Sequence, residues 1–120
     1  MATTVKQNVS KINYEMRRGD TFNPTIAYKD ENGVIIDLSS HTAKMDLKDA
    51  IDGTVIESLT SASGITLAAT DPNISILIAD TVTAAYTITP MVYDLELTDS
   101  GGVVKTLMEG TITLKLDVSL

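Results

Sequence analysis

The chain is short of the residue types that most chemistry depends on. Its 120 residues include no cysteine and no tryptophan, one phenylalanine (Phe22), four tyrosines and one histidine (His41). Without cysteine there can be no disulfides, no thiol catalysis and no cysteine-based zinc site. One histidine cannot by itself supply a histidine-rich metal site. Any histidine-dependent catalysis would therefore rest on His41 alone.

Positive charge is also scarce. Nine lysines and arginines stand against sixteen aspartates and glutamates, which gives a net charge of −7. Nucleic-acid-binding proteins need clustered cations to neutralise phosphates, so no DNA or RNA partner is expected. Residues 1–18 nevertheless carry +3, and the remainder carries −10. Two interpretations stay open: an acidic surface that resists aggregation, or a basic N-terminal arm that docks on an acidic patch of a neighbouring subunit.

Long apolar runs are missing as well. Residues 1–10 are polar and lack the apolar segment of a secretory signal peptide. The longest apolar stretches elsewhere span only a few residues, too few to cross a bilayer. We therefore expect a protein made in the cytoplasm of its host, with no membrane insertion.

β-branched residues are abundant. The sequence holds 12 isoleucines, 9 valines and 17 threonines, and these stiff side chains fit pleated strands better than helices. Apolar and polar residues alternate almost throughout, most clearly where Ile112, Leu114, Leu116 and Val118 should face inward. Turn signals recur about every 8–12 residues, as in sandwiches and small barrels.

These patterns predict an all-β fold, an antiparallel β-sandwich of about eight to ten short strands. We expect a polar N-terminal arm over residues 1–10 and one sandwich domain over residues 11–120. A short helical turn is expected near residues 80–86, capped by Asp80 or Thr81. Pro24 predicts an edge strand or a bulge, and Gly110 predicts a bulge or bend.

Tyr93 favours an immunoglobulin-like version of the sandwich. It follows the predicted helical turn and lies two residues before Leu95, which is the spacing of a tyrosine corner. Leu95 would then occupy the core position that antibody domains fill with cysteine. The alternative is that Tyr93 is simply one more inward-facing strand residue.

No catalytic constellation is predicted. His41 lies beside Ser39 and Ser40, but neighbours in sequence form a triad only if the fold brings an acid to them, so we expect a turn residue. Asp94 and Glu96 share the outer face of one predicted strand, at a spacing compatible with glycosidase carboxylates. Such a pair is more typical of a solvated strand face.

Three further motifs are interpreted as turns. Asp30-Glu31-Asn32-Gly33 resembles a calcium loop, but its twelfth position is His41 instead of the required glutamate. Ser100-Gly101-Gly102 does not open a helix, as a phosphate-binding loop would. Arg18-Gly19-Asp20 matches an integrin-binding tripeptide only by its three letters. We therefore predict no catalytic, cofactor-binding or metal-binding residues, no small-molecule substrate and no enzyme activity.

Two blocks of sequence together resemble small structural modules of tailed-bacteriophage virions. The first block has a Gly-Asp-Thr element, an Asn-Gly turn and an Asp-Leu corner: Arg17-Arg18-Gly19-Asp20-Thr21-Phe22, Asp30-Glu31-Asn32-Gly33 and Asp37-Leu38-Ser39. The second, over residues 92–99 and 101–111, is similar to their Tyr-Asp-Leu-Glu hairpin and Leu-x-Glu-Gly-Thr segment. The N-terminal half is more loosely similar to the N-terminal domain of upper baseplate proteins. The order is kept over about residues 10–118, but residues 87–91 replace a glycine common in those proteins.

The resemblance implies a non-enzymatic virion component with an immunoglobulin-like fold, present in several copies. Its partners would be other virion proteins and copies of itself. Upper baseplate proteins carry a receptor-binding or scaffold region after this module, which a chain ending at Leu120 has no room for. We therefore expect an adaptor associated with the tail, neck or baseplate.

Two other functions stay open at this stage. One is a capsid decoration protein. The other is a carbohydrate- or host-surface-binding module, for which the candidate platforms are the five aromatic side chains: Tyr14, Phe22, Tyr28, Tyr86 and Tyr93. A hydrolase would have to depend on His41.

Overall fold

Ten strands and one short helix make up the described part of the chain. A computed structural model describes residues 3–5, by their backbone, and residues 10–115. The elements, in chain order, are β1 (Thr3–Val5), β2 (Ser10–Lys11), β3 (Tyr14–Arg17), β4 (Thr25–Tyr28), β5 (Thr42–Lys48), β6 (Val55–Thr60), β7 (Ile65–Leu67), β8 (Ile74–Ile76), α1 (Asp80–Thr83), β9 (Met91–Thr98) and β10 (Val104–Lys115).

The strands form two sheets. One has the order β1-β4-β8-β7, and the other has the order β2-β10-β9-β5-β6, with β3 also paired to β10. The central pairs are antiparallel, whereas β1 pairs with β4, and β2 and β3 pair with β10, in parallel. Strands that follow one another in sequence are distributed between the sheets as in an immunoglobulin-like sandwich. The predicted fold class is confirmed, with parallel pairing confined to the N-terminal strands.

The core lies between the inner faces of the sheets. Along β9, Met91, Tyr93, Leu95 and Leu97 are buried and alternate with more exposed residues. The same alternation buries alternate residues of β5 and β8. The inward positions predicted at Ile112 and Leu114 are confirmed, whereas Leu116 and Val118 lie outside the described residues.

Asn73 is a fully buried polar side chain that ties the smaller sheet to the hairpin after β4. Its side-chain oxygen accepts a hydrogen bond from the Tyr28 amide at 2.7 Å. Its side-chain nitrogen donates to the carbonyls of Tyr28 at 3.0 Å and of Ile36 at 2.7 Å. The side-chain amide thus makes the hydrogen bonds that the backbone of a neighbouring strand would make. Because its oxygen and nitrogen both have partners, the amide is tolerated in the core.

The predicted helical turn is present as α1, but its cap was predicted wrongly. The N-cap is Ala79, with no side-chain cap bond, because Asp80 already lies inside the helix. Thr83, which is fully buried, holds the helix instead: its hydroxyl donates to the Asp20 carbonyl at 2.8 Å and accepts from the Gly19 amide at 3.1 Å. Tertiary contact replaces the local cap.

The prediction that Pro24 lies on an edge strand is also wrong. β4 begins one residue later and lies between β1 and β8, so it is an interior strand. Pro24 is accommodated because it precedes the strand, where its carbonyl accepts from the Ile76 amide at 3.0 Å.

The bulge predicted at Gly110 lies elsewhere. The register of β10 against β9 shifts between Thr106 and Met108, whereas Gly110 pairs regularly with Tyr93. Glycine is required at position 110 for another reason, since a Cβ there would overlap the backbone carbonyl of Ile12. The glycine therefore permits close approach of the N-terminal strands.

Tyr93 is an inward-facing strand residue and does not form a tyrosine corner. Its hydroxyl donates to the carbonyl of Ile12 at 2.6 Å, whereas a tyrosine corner bonds the backbone a few residues upstream. Asn13 adds a second link, because its side-chain oxygen accepts from the Thr111 amide at 3.0 Å. These bonds bridge the short gap between β2 and β3.

The arm predicted over residues 1–10 contributes to two strands. Thr3–Val5 pairs with β4 of the smaller sheet, and Ser10 begins β2 of the larger sheet. Residues 1, 2 and 6–9 lie outside the described residues, as do residues 116–120. Within the described residues, the predicted arm therefore contacts both sheets, through Thr3–Val5 on β4 and through Ser10 on β10.

Candidate functional site

His41 closes a backbone turn at one end of the sandwich. Its amide donates to the carbonyl of Leu38 at 3.0 Å, and the Asp37 carboxylate accepts from the Ser39 amide at 2.9 Å. Hydrogen bonds from Ser39 lower the pKa of the Asp37 carboxyl, and the charge of His41 lowers it further. Within residues 10–115, the His41 Nδ1 is buried without a hydrogen-bond partner. The described residues therefore do not assemble a nucleophile and base around His41.

A small cleft opens beside His41. It measures about 200 Å³, and apolar side chains from both sheets form much of its lining, among them Tyr28, Leu97 and Leu107. Asp99 and Lys105 bring one charge of each sign to the same cleft. The cleft therefore has a largely apolar lining with one acidic and one basic side chain.

Asp94 and Glu96 lie on the outer face of β9, as predicted. The residues opposite Asp94 are acidic, whereas those opposite Glu96 are not. Asp94 is directly opposite Asp46 on β5 and Glu109 on β10. Glu96 is opposite Lys44 and Thr106. Like charges directly opposite one another destabilise a sheet. Cations flank both ends of this row, since Lys44 lies 3.7 Å from Asp46 and Lys11 lies opposite Glu109, so Asp94 is the carboxylate with an acidic neighbour on each side.

A groove of about 340 Å³ lies on this outer face, over Asp94, Val92 and the bare backbone of Gly110. Ile51, from the β5–β6 turn, and two lysines, Lys11 and Lys48, also line it. Within the described residues, no group of three histidine, aspartate or glutamate side chains is placed to hold a metal ion. The groove is therefore a charged surface feature of the larger sheet.

The Asp30 motif is a turn, and the chain uses it twice. The Asp30 carboxylate accepts from the amides two and four residues ahead, at 2.9 and 3.0 Å. Asp99 makes the same two bonds at 2.9 and 3.0 Å. Both segments read Asp-x-x-Gly-Val, and the repeated spacing is the signal from which this shared turn could have been found. The carboxylates are engaged in turn geometry, which agrees with the turn interpretation.

The Arg18-Gly19-Asp20 segment is the turn on which α1 docks. Gly19 has a φ of 91°, which favours glycine, and its amide bonds Thr83. Arg17 forms a loose ion pair with Asp20 at 4.0 Å. The positive φ explains why residue 19 is glycine, and the Asp20 carbonyl is occupied by its hydrogen bond from Thr83.

The aromatic side chains are committed to the interior. Phe22, Tyr28, Tyr86 and Tyr93 are buried, and Tyr14 is half-buried. The Tyr14 ring packs against Phe22 and Tyr93, with ring centroids 5.7 and 5.8 Å apart. The described residues therefore present no exposed aromatic platform of the kind that sugars stack on.

Sheet edges are the surface feature that the sequence did not reveal. The larger sheet ends in β6 on one side and in β2 and β3 on the other. β6 is six residues long, whereas β1 and β7, the edges of the smaller sheet, are three residues each. The position of a strand within a sheet depends on long-range pairing, which a local sequence pattern does not reveal.

The topology of the two sheets gives the general class of the molecule. The sandwich with this strand order is an immunoglobulin-like all-β domain, as its topology defines. No protein-family profile matches the chain, and no curated protein matches it. A solved structure of Drosophila OTK, extracellular domains 3–5, is similar with a TM-score of 0.40 and 12% identity, over 85% of this chain and 32% of that chain. No helix in the described part of the chain is long and apolar enough to span a membrane.

Proposed function

We propose that the protein is a non-enzymatic structural component of a tailed-phage virion. It acts as a small adaptor associated with the tail, neck or baseplate, and it assembles in several copies. The observation that carries this proposal is the ordered pair of motif blocks, residues 17–39 and 92–111, which resemble virion modules. The particle is its expected location, and other virion proteins are its expected partners.

Features of the surface support an assembly role over a glycan-binding role. Four of the five aromatic residues are buried, which removes the usual platforms for sugars. Several valines are exposed instead, including those at the tips of the two Asp-x-x-Gly-Val turns, Val34 and Val103. Exposed apolar groups of this kind are the material of protein interfaces.

The proposal is tested by locating the chain on particles. Virions from a lysate of cells that encode this chain are purified by density gradient and probed with an antibody raised against it. The protein should co-sediment with the particles, and gold-labelled antibody should mark the tail, neck or baseplate. A soluble protein of the host cytoplasm serves as the carry-over control. Labelling of the head would replace the adaptor role by capsid decoration, and absence from the particles would overturn the proposal.

A further inference from the structure

The hairpin after β4 carries an asparagine whose side chain the fold does not use. Asn32 and Gly33 are both exposed at the tip of the Asp30 turn. The backbone amide of Asn32 donates to the Asp30 carboxylate at 2.9 Å. Within residues 10–115, however, the side-chain carboxamide of Asn32 makes no hydrogen bond. The carboxamide is therefore free to rotate towards its own backbone.

The other described asparagines are held or blocked. The side-chain oxygen of Asn13 accepts from a backbone amide at 3.0 Å. Asn73 is fully buried, and its carboxamide makes the three hydrogen bonds already described. Asn23 precedes Pro24, which has no backbone N–H. Among the described residues, Asn32 is thus the asparagine that combines an unbonded carboxamide with a following glycine.

An asparagine followed by glycine can rearrange without an enzyme, and asparagine is among the thermolabile residues of proteins. The Gly33 nitrogen attacks the side-chain carbonyl carbon of Asn32, and the new carbon–nitrogen bond closes a five-membered imide. The carboxamide nitrogen leaves as ammonia, carrying the proton of the Gly33 amide. Glycine favours this step because no Cβ shields its nitrogen. Water then opens the imide, at the side-chain carbon to give aspartate or at the main-chain carbon to give isoaspartate.

The turn must open before this reaction can begin. The Gly33 amide donates to the Asp30 carbonyl at 3.0 Å, so its nitrogen is engaged in the closed turn. Little packs against this segment: within the described residues, a Cβ at Gly33 would meet no atom within 4 Å. Exposed segments with few buried contacts open locally at low free energy. The hydrogen-bonded turn therefore slows the reaction without preventing it.

We propose that Asn32 is a covalent modification site, converted with time to aspartate and isoaspartate through attack by the Gly33 nitrogen. The net charge of the chain then goes from −7 to −8, because one neutral amide becomes one carboxylate. Isoaspartate also adds one carbon to the backbone between residues 32 and 33. This lengthening separates the amides of Asn32 and Val34, which both bond the Asp30 carboxylate, so the turn is lost. The inference goes beyond the proposed virion role and does not depend on it.

The second Asp-x-x-Gly-Val turn is a matched control within the same chain. Gly33 and Gly102 have φ values of 81° and 85°, and each donates to the carbonyl of its turn aspartate at 3.0 Å. The two turns thus share one backbone geometry, but position 101 holds glycine where position 32 holds asparagine. A Cβ at Gly101 would meet the Asp99 carboxylate at 3.4 Å, an ordinary contact, so an asparagine fits there.

The test exchanges the residues at these two positions. The purified full chain is incubated at mildly alkaline pH, folded or in urea, and followed by isoelectric focusing and peptide mass mapping. The folded wild type should gain one negative charge per chain, mapped to residue 32. Asn32→Gly should abolish this gain, and Gly101→Asn should add a second. The double variant should move the modification to position 101.

Two results would overturn the proposal. One is a folded wild-type chain that gains no charge during the time in which the urea-unfolded chain is converted, which would show that the closed turn protects Asn32. The other is a charge gain that persists in the folded Asn32→Gly variant, which would place the modification at another residue. Both measurements use purified protein, so neither depends on whether the chain is found on virions.

Discussion

Gly110 sets how closely the N-terminal strands approach the larger sheet. Any side chain at this position would occupy the space of the Ile12 carbonyl, which is held in place by the Tyr93 hydroxyl. The sequence predicted a bulge or bend at this glycine, whereas the structure shows that the Ile12 carbonyl approaches it closely. Its partner lies nearly a hundred residues away, beyond the reach of local pattern.

Gly110→Ala should lower the free energy of unfolding by about 1–3 kcal/mol, because the added methyl group must push β2 and β3 from β10. Urea denaturation followed by circular dichroism measures the change. Gly101→Ala is the control, since its Cβ would meet only the Asp99 carboxylate, at 3.4 Å. Equal losses in the two variants would mean that Ile12 does not constrain position 110.

The buried tyrosines give the protein a defined response to alkali. Burial raises the pKa of Tyr93 above its usual value, with the neighbouring Tyr14 adding to the effect. Burial likewise raises the pKa of Tyr86, and the nearby carboxylate of Glu57 raises it further. A group whose pKa is raised by folding contributes its stability fully below the unfolded-state pKa and loses it as pH rises.

We therefore expect the free energy of unfolding to fall as pH rises above about 10, where the unfolded tyrosines ionise. Tyr93→Phe should reduce the steepness of this fall, while lowering stability at neutral pH by about 0.5–1.5 kcal/mol through loss of the bond to Ile12. Denaturant titrations at several pH values measure both effects. An unchanged alkaline slope in the variant would contradict the assignment.

At the scale of elements, the alternation of inward and outward residues was predicted correctly, whereas the place of Pro24 and β4 within the sheet was not. The inward residues of β5, β8 and β9 follow directly from the period of two, since one face of each strand is apolar. The predictions were wrong at positions where a long-range contact, and not the local sequence, determines the structure. Pro24 suggested an edge because proline lacks an amide, yet it stands just before an interior strand.

Leu95→Ala and Leu114→Ala should each cost about 2–5 kcal/mol of unfolding free energy, because both side chains are buried and would leave cavities. Thermal or chemical denaturation measures the loss. The matched control is Thr113→Ala, exposed on the opposite face of β10, which should change stability by less than about 0.5 kcal/mol. A loss at Leu114 as small as at Thr113 would show that the facing of β10 is reversed.

At the scale of the whole molecule, the net charge of −7 opposes compactness. The fold concentrates part of this charge in the cross-strand row Asp46, Asp94 and Glu109. Only the antiparallel registers of β5, β9 and β10 reveal that row. In sequence, the three carboxylates are far apart and unremarkable.

Raising sodium chloride from about 10 mM to about 150 mM should therefore raise the melting temperature, because salt screens exposed like charges. Asp94→Asn should show a smaller salt response and be more stable at low salt by about 0.2–1 kcal/mol, since it removes the middle charge of the row. Glu31→Gln, which removes one exposed charge from a turn, is the control. Equal gains in both variants would indicate a general charge effect with no contribution from the row.

The sequence by itself determined the class of this protein and the facing of most strands. β-branched composition, the period of two and the turn residues are local properties, and local sterics convert them into strands and hairpins. The same sequence placed the carboxylates of Asp94 and Glu96 on one outer face. It also contains no cysteine and a single histidine.

Tertiary structure alone decided which residues are neighbours. It placed Gly110 against Ile12, Thr83 beneath Gly19, Asn73 between two backbone segments, and β6 at an open edge. Strand order is set by long-range pairing and by burial of both inner faces, and neither is encoded in a short window of sequence. The scarcity of cysteine and histidine is a property of the sequence, whereas the strand order and the sheet edges that it leaves are properties of the tertiary structure.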